Sequence, residues 1–199
     1  MTKEKGTDQF IEIAKATARI KNVVKPTPLR LSKSLSDEKT SVYYKMENLN
    51  PTGSFKLRGA ANKILSMSEA EREKGVVTAS TGNHGAGVGY MCHKTGCKGT
   101  VFGPKDMSQA KYDGMVSYGV EVKQVDGDPI NGEIAARKYA TDNNIPFVSP
   151  YNDIHIVGGQ GTIGFELFAE VQDLDAVFVA LGGGGLMSGI AIALANEPK

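Results

Sequence analysis

Val76-Val-Thr-Ala-Ser-Thr-Gly-Asn-His-Gly85 reads as a strand running straight into a helix. Val76 to Ser80 is a short β-branched, apolar run. Gly82 and Gly85 permit a sharp turn, and a helix of small residues continues to Thr95, closed by Gly96. The same rhythm then repeats. Thr100 to Phe102 is a strand and Ser108 to Tyr118 a helix closed by Gly119. Val120 to Val125 is a strand, Ile130 to Asn143 a helix, and Ile145 to Val148 a strand ending at Pro150. Strands and helices alternating through short connections predict an α/β fold, a parallel sheet with right-handed crossovers. Such sheets bind ligands beyond the carboxyl ends of their strands.

Outward from that core the pattern is looser. Thr7 or Asp8 can cap a first helix carrying Phe10, Ile13, Ala14, Ile20 and Val24, which Pro26 and Pro28 end. Val42 to Met46 alternates as a strand, and Ser68-Glu-Ala-Glu71 is a capping box. A helix is expected from Gly161 to Val171. Asp175 to Leu181 is a near-continuous apolar strand, as for one buried on both faces. Four glycines and a helix from Leu186 to Asn196 follow.

The 199 residues suit one large domain or two small ones, and a net charge of +1 gives no electrostatic case for nucleic acid or an acidic membrane surface. No apolar run is long enough to span a bilayer. Two cysteines and no export signal at the start fit a cytoplasmic setting.

Three stretches carry chemistry. The loop Ser80 to Gly85 leaves a strand and opens a helix, so its free N–H groups suit a carboxylate or phenolate-like oxygen. Gly182-Gly-Gly-Gly185, also between strand and helix, reads as a phosphate cradle, with neither Walker nor dinucleotide spacing. Asn50-Pro-Thr-Gly-Ser-Phe-Lys-Leu-Arg-Gly-Ala60 is a turn followed by a helix with Ser54 as its N-cap, which puts Lys56 in the first turn. The helix dipole there lowers the amine pKa, and an uncharged lysine forms a Schiff base with an aldehyde. A phosphate-bearing aldehyde on an activated lysine is pyridoxal 5′-phosphate.

These three stretches, in order and with Gly159-Gln-Gly-Thr162 after Tyr151-Asn-Asp153, resemble the motifs of fold-type II pyridoxal-phosphate enzymes, with a tryptophan-synthase-β-like fold. Ser-Phe-Lys-Leu-Arg-Gly and Asn83-His84 are most similar to the threonine/serine dehydratase and serine racemase branch. The resemblance implies two three-layer α/β domains with mostly parallel sheets: a large one from 1–74 and 153–199, and a small one, 75–152, inserted in it. It implies β-elimination of L-threonine or L-serine to a 2-oxo acid and ammonia, with a serine racemase-type isomerase or an inactive cofactor-binding fragment as alternatives. It makes Lys56 the Schiff-base lysine and general base, with Phe55 beside the cofactor ring. Asn83 meets the 3′ oxygen; Gly182, Gly183, Gly184, Gly185 and Leu186 hold the phosphate. Ser80, Thr81, Gly82 and His84 receive the substrate carboxylate, and Thr81 stands where racemising relatives carry an opposite-face acid/base. Family members usually pair as homodimers.

The same resemblance implies further strands after the tetraglycine helix, so the chain reads as truncated, with a raw edge beside Asp175 to Leu181. Cys92, His93 and Cys97 fit no standard metal spacing, and no metal site is expected. His155 reads as a cap or surface residue and Arg58 as a structural contact. Lys111 and Arg137 read as exposed helix charges.

Overall fold

The computed structural model describes residues 3–171 and 173–196. In chain order it comprises α1 (Lys3–Ile20), β1 (Leu29–Leu31), β2 (Tyr43–Lys45), a 3-10 turn (Glu47–Leu49), α2 (Lys56–Ser66) and α3 (Glu69–Glu73). There follow β3 (Val76–Ala79), α4 (Asn83–Thr95), β4 (Gly99–Pro104), α5 (Gln109–Val116), β5 (Glu121–Val125), α6 (Pro129–Asp142), α7 (Ile154–Glu170) and α8 (Gly185–Asn196).

The alternating stretch forms the expected parallel sheet, ordered β3-β4-β5. Val76 pairs with Gly99, and Thr100 with Glu121. The 145–148 segment lies along β3 as a single parallel bridge, Val77 to Phe147, because Pro146 can only accept there: the Val77 N–H donates to its carbonyl at 2.9 Å. Adjacent residues of a strand face opposite ways. Val76 and Val101 pack with Val88 and Met91 of α4 and Met115 of α5. Val77 and Phe102 pack with Ala136 and Ala140 of α6. The sheet is thus the middle of three layers.

Around the second centre, α1, α2 and α8 surround α7, with β1 and β2 as an antiparallel ribbon beside them. Glycines set these helix crossings. A Cβ on Gly159 would lie 2.5 Å from the Arg58 carbonyl and 2.6 Å from the Gly59 Cα. One on Gly189 would lie 2.6 Å from the Gly161 nitrogen. Both obstacles are backbone, which no rotamer change relieves. Gly159→Ala is therefore expected to cost about 3 kcal/mol, the upper range of overpacking, read as a lowered urea midpoint.

Arg58 is the largest fully buried side chain, 1% exposed. Its guanidinium meets Glu47 through Nε and Nη2, both at 2.8 Å, and Glu166 through Nη1 at 2.6 Å and Nη2 at 2.9 Å. Burial alone would raise the Glu47 carboxyl, but the bonds and charge of Arg58, with the bonds from Thr27 and Asn50, together hold it below its usual range. Arg58 thereby ties α2 to the 3-10 turn and to α7, the structural contact expected of it.

Four expectations are corrected. The first helix begins at Lys3, upstream of Thr7 and Asp8. The α2 N-cap is Phe55, and the buried Ser54 Oγ has no hydrogen-bond partner. The backbone at Phe55 is already helical, so Ser54 lies too early to cap. Helix α7 starts at Ile154, capped by Asp153, whose carboxylate accepts from the His155 and Ile156 N–H groups. Its glycines are helical because they admit neighbouring backbones. Finally, Asp175 to Leu181 forms no strand. No strand pairs with it among the described residues. Val177 and Val179 pack against Ile163, Leu167 and Ile190, whereas Phe178 is 98% exposed.

Candidate functional site

A cavity of about 440 Å³ opens at the carboxyl ends of the parallel strands. Ser80 to His84 supply one wall, and Phe102, Gly103 and Pro104 the end of β4. Pro129, Ile130 and Glu133 come from the start of α6, Lys111 from α5, Pro150 and Tyr151 from beyond the bridging segment, and Lys56 from α2.

Lys56 is the first residue of α2 and is half-buried. Its Nζ donates to the Pro150 carbonyl at 2.6 Å and lies 5.3 Å from the centre of the Phe55 ring. Among the described residues no carboxylate pairs with it. Burial pushes its pKa down from the ordinary lysine value, which enlarges the uncharged, nucleophilic fraction.

Ser80, Thr81, Gly82, Asn83 and His84 all line the same cavity. The Gly82 N–H donates to Ser80 Oγ at 3.0 Å, and the Ala86 N–H to the Gly82 carbonyl at 2.9 Å. No side chain caps α4 at Gly82. The amides of the first turn, at Asn83, His84 and Gly85, have no intrahelical acceptor and carry the positive end of the helix.

The His84 ring is 3% exposed. Its Nε2 lies 3.4 Å from the Val148 carbonyl, and Nδ1 is buried without a partner. Burial, then the Lys56 charge, push its pKa down to about 3, against the Val148 bond. A neutral imidazole donating through Nε2 has only a lone pair at Nδ1, so the backbone N–H of His84, not its ring, is the group suited to a carboxylate. Below its ordinary value of 6.5 the unfolded imidazole binds a proton that the folded one refuses until about pH 3. Stability is therefore expected to fall as pH drops through that window. His84→Gln should flatten this part of the stability–pH curve, measured by urea denaturation.

The tetraglycine loop does not line the cavity but abuts it. Gly183 packs on the Tyr151 ring, and a Cβ on Gly185 would lie 2.7 Å from the Tyr151 carbonyl. Gly184 has φ +83°, a conformation glycine adopts freely. The Ser188 N–H donates to the Gly184 carbonyl at 2.9 Å, which leaves the first-turn amides of α8 without helical acceptors. Leu186 joins the apolar cluster that includes Phe55.

Pro150, Tyr151, Glu133 and Lys111 line the cavity although the sequence reading assigned none of them to it. The Tyr151 hydroxyl donates to Glu133 at 3.2 Å, and Glu133 also pairs with Arg137 at 2.7 Å. Pro150 was recognisable as the end of a parallel strand, where ligands bind; the reach of α5 and α6 side chains has no sequence signal. Cys92 and Cys97 are buried and unlinked, and the described residues hold no cluster of three or more metal-ligating His, Cys, Asp or Glu. His155 lies 2.8 Å from Glu12, between α1 and α7. No helix among the described residues is long and apolar enough to cross a membrane.

An α/β scaffold with a half-buried, carboxylate-free lysine at the strand ends, facing one glycine-turned helix start and abutting another, defines a class built to hold an aldehyde-bearing anionic cofactor. Residues 20–199 match the family described as "Pyridoxal-phosphate dependent enzyme", and the chain belongs to that family. It is 38% identical over 185 residues to the L-threonine dehydratase catabolic TdcB of Staphylococcus aureus, covering 92% of this chain and 54% of that protein. It is 40% identical to the L-threonine ammonia-lyase of Thermotoga maritima, covering 92% of this chain and 46% of that one. The processed form of threonine deaminase isoform 2 from Solanum lycopersicum superposes with a TM-score of 0.90 at 31% identity, over 97% of this chain and 53% of that one. The chain thus spans about half the length of the relatives it matches.

Proposed function

We propose that this chain contributes the lysine-bearing part of a pyridoxal-phosphate-dependent ammonia-lyase, which converts L-threonine or L-serine to a 2-oxo acid and ammonia. The observation that carries the reading is the Lys56 amine, its pKa lowered by burial, in one cavity with Ser80 to His84. The residues present fit the cofactor. Phe55 and Leu186 offer apolar contact near the amine, and Gly182 to Gly185 offer a glycine cradle beside Tyr151. When bound, pyridoxal phosphate supplies the electron sink for charge developing at the substrate Cα.

In this reading Lys56 Nζ would hold the cofactor aldehyde and would be the base for the substrate Cα proton. The first-turn amides of Ser80 to Gly85 receive the substrate carboxylate and fix the Cα–H direction. Asn83 would meet the cofactor's 3′ oxygen, and Gly182, Gly183, Gly184, Gly185 and Leu186 would hold its phosphate. Thr81 is the hydroxyl available for proton exchange on the opposite face. The small unit is 75–152, inserted in a larger one formed by 1–74 and 153–199. A cytoplasmic homodimer completes the reading.

Borohydride reduction after incubation with pyridoxal 5′-phosphate, followed by peptide mapping, tests the site; a single adduct on Lys56 is expected. Label on another lysine, or none, defeats the assignment. Formation of 2-oxobutanoate from threonine, against inversion of serine, separates the lyase from an isomerase.

A further inference from the structure

Lys111 is exposed, as expected, but its stem packs against protein. It stands on α5, in the wall of the cavity, and its stem lies across the loop expected to meet substrate. A Cβ on Gly82 would lie 3.0 Å from the Lys111 Cδ, 3.3 Å from Cγ and 3.4 Å from Cε. Glycine at position 82 therefore leaves the room that this stem occupies. Among the described residues the Lys111 ammonium has no hydrogen bond or ion pair. Asp113 on its own helix accepts from Gln109 at 2.7 Å. Glu133 across the cavity is engaged by Arg137 and Tyr151. The other cavity lysine, Lys56, is bonded to the Pro150 carbonyl. Lys111 is thus the cavity's remaining uncommitted cation, laid against a helix start that no side chain caps.

We propose that Lys111 is a substrate-binding residue, whose ammonium pairs with the carboxylate of an amino-acid substrate held by the Ser80 to Gly85 loop. Loop amides give direction but only partial charge; an ammonium adds a full charge and a charge-assisted bond to the same anion. The chemical class selected is a free α-amino acid, as opposed to an amide or ester of one. This rests on the proposed function for the identity of the loop's ligand, though not for its chemistry as an anion site.

The test is binding of L-alanine, which has the carboxylate and no leaving group, followed through the amide resonances of Gly82 to Gly85. Lys111→Met should weaken L-alanine about tenfold, while Lys111→Arg should stay within about threefold of wild type. L-alaninamide, which lacks the anion, should bind wild type and Lys111→Met alike. If Lys111→Met binds L-alanine as wild type does, or loses L-alanine and L-alaninamide equally, Lys111 does not read the carboxylate. Where turnover is measured, KM for L-serine should rise more than kcat falls. A borohydride adduct on Lys56 with alanine binding indifferent to Lys111 defeats this inference alone. Lys111-dependent binding with no adduct defeats the proposed function alone.

Discussion

Lys56→Ala is expected to lose the borohydride-trapped adduct completely and to lower kcat on the order of 10⁴-fold, as removal of a covalent or general-base lysine does. The fold should survive. Among the described residues the Lys56 side chain makes a single hydrogen bond, to the Pro150 carbonyl, and no ion pair, so its loss costs about 1 kcal/mol or less. Circular dichroism and the urea midpoint should match wild type closely, which separates loss of chemistry from loss of structure. An adduct that persists in Lys56→Ala would mean that the reactive amine lies elsewhere.

The second large effect is on stability. Arg58→Met leaves the Glu47 and Glu166 carboxylates in the interior without their guanidinium. Glu166 keeps Lys45 at 2.8 Å; Glu47 keeps only Thr27 and Asn50. Breaking a buried pair from one side costs about 3–5 kcal/mol, equivalent to a Tm lowered by roughly 10 °C for a chain of this size. Burial works against the charged guanidinium, yet the two carboxylates raise its pKa, so the network remains ionised across the neutral range. The triple variant Arg58→Met, Glu47→Gln, Glu166→Gln should recover much of the loss, because no lone charge is then left inside. A change below about 1 kcal/mol in Arg58→Met would show that water reaches the site and that the network is not truly interior.

How far these features were readable in advance depended on range. The parallel sheet was legible because every strand from Val76 to Val125 is followed by a helix and bounded by glycine, a pattern set within a few residues. Lys56 and the loop from Ser80 to His84 were legible for the same reason: a turn residue and a helix start define each locally. The start of α1 and the α2 cap were misplaced locally, but the other failures involve distant partners. Asp175 to Leu181 has a strand's composition, but a ladder needs a second strand. Helix α7 was expected only from Gly161, yet Gly158 and Gly159 are helical too, with neighbouring elements against them at close distance. Lys111 is the exposed helix charge expected of it, but nothing in its own helix announces that its stem crosses Gly82. Arg58 was assigned to structure by its spacing from Lys56, but Glu166, one of its two carboxylates, lies 108 residues away.

The four residues Val148 to Tyr151 touch each chemical motif in turn. The Val148 carbonyl accepts from Thr78 at 2.6 Å and faces the His84 ring; Pro150 holds the Lys56 amine; Tyr151 underlies Gly183 and Gly185. Ser149 stiffens the run, its Oγ accepting from the Asn152 N–H at 2.9 Å. A jolt to this tetrapeptide reaches lysine, imidazole and glycine turn together. The protein accordingly has a common keystone, and damage there should register as one abrupt failure of three functions instead of a graded loss of any single one.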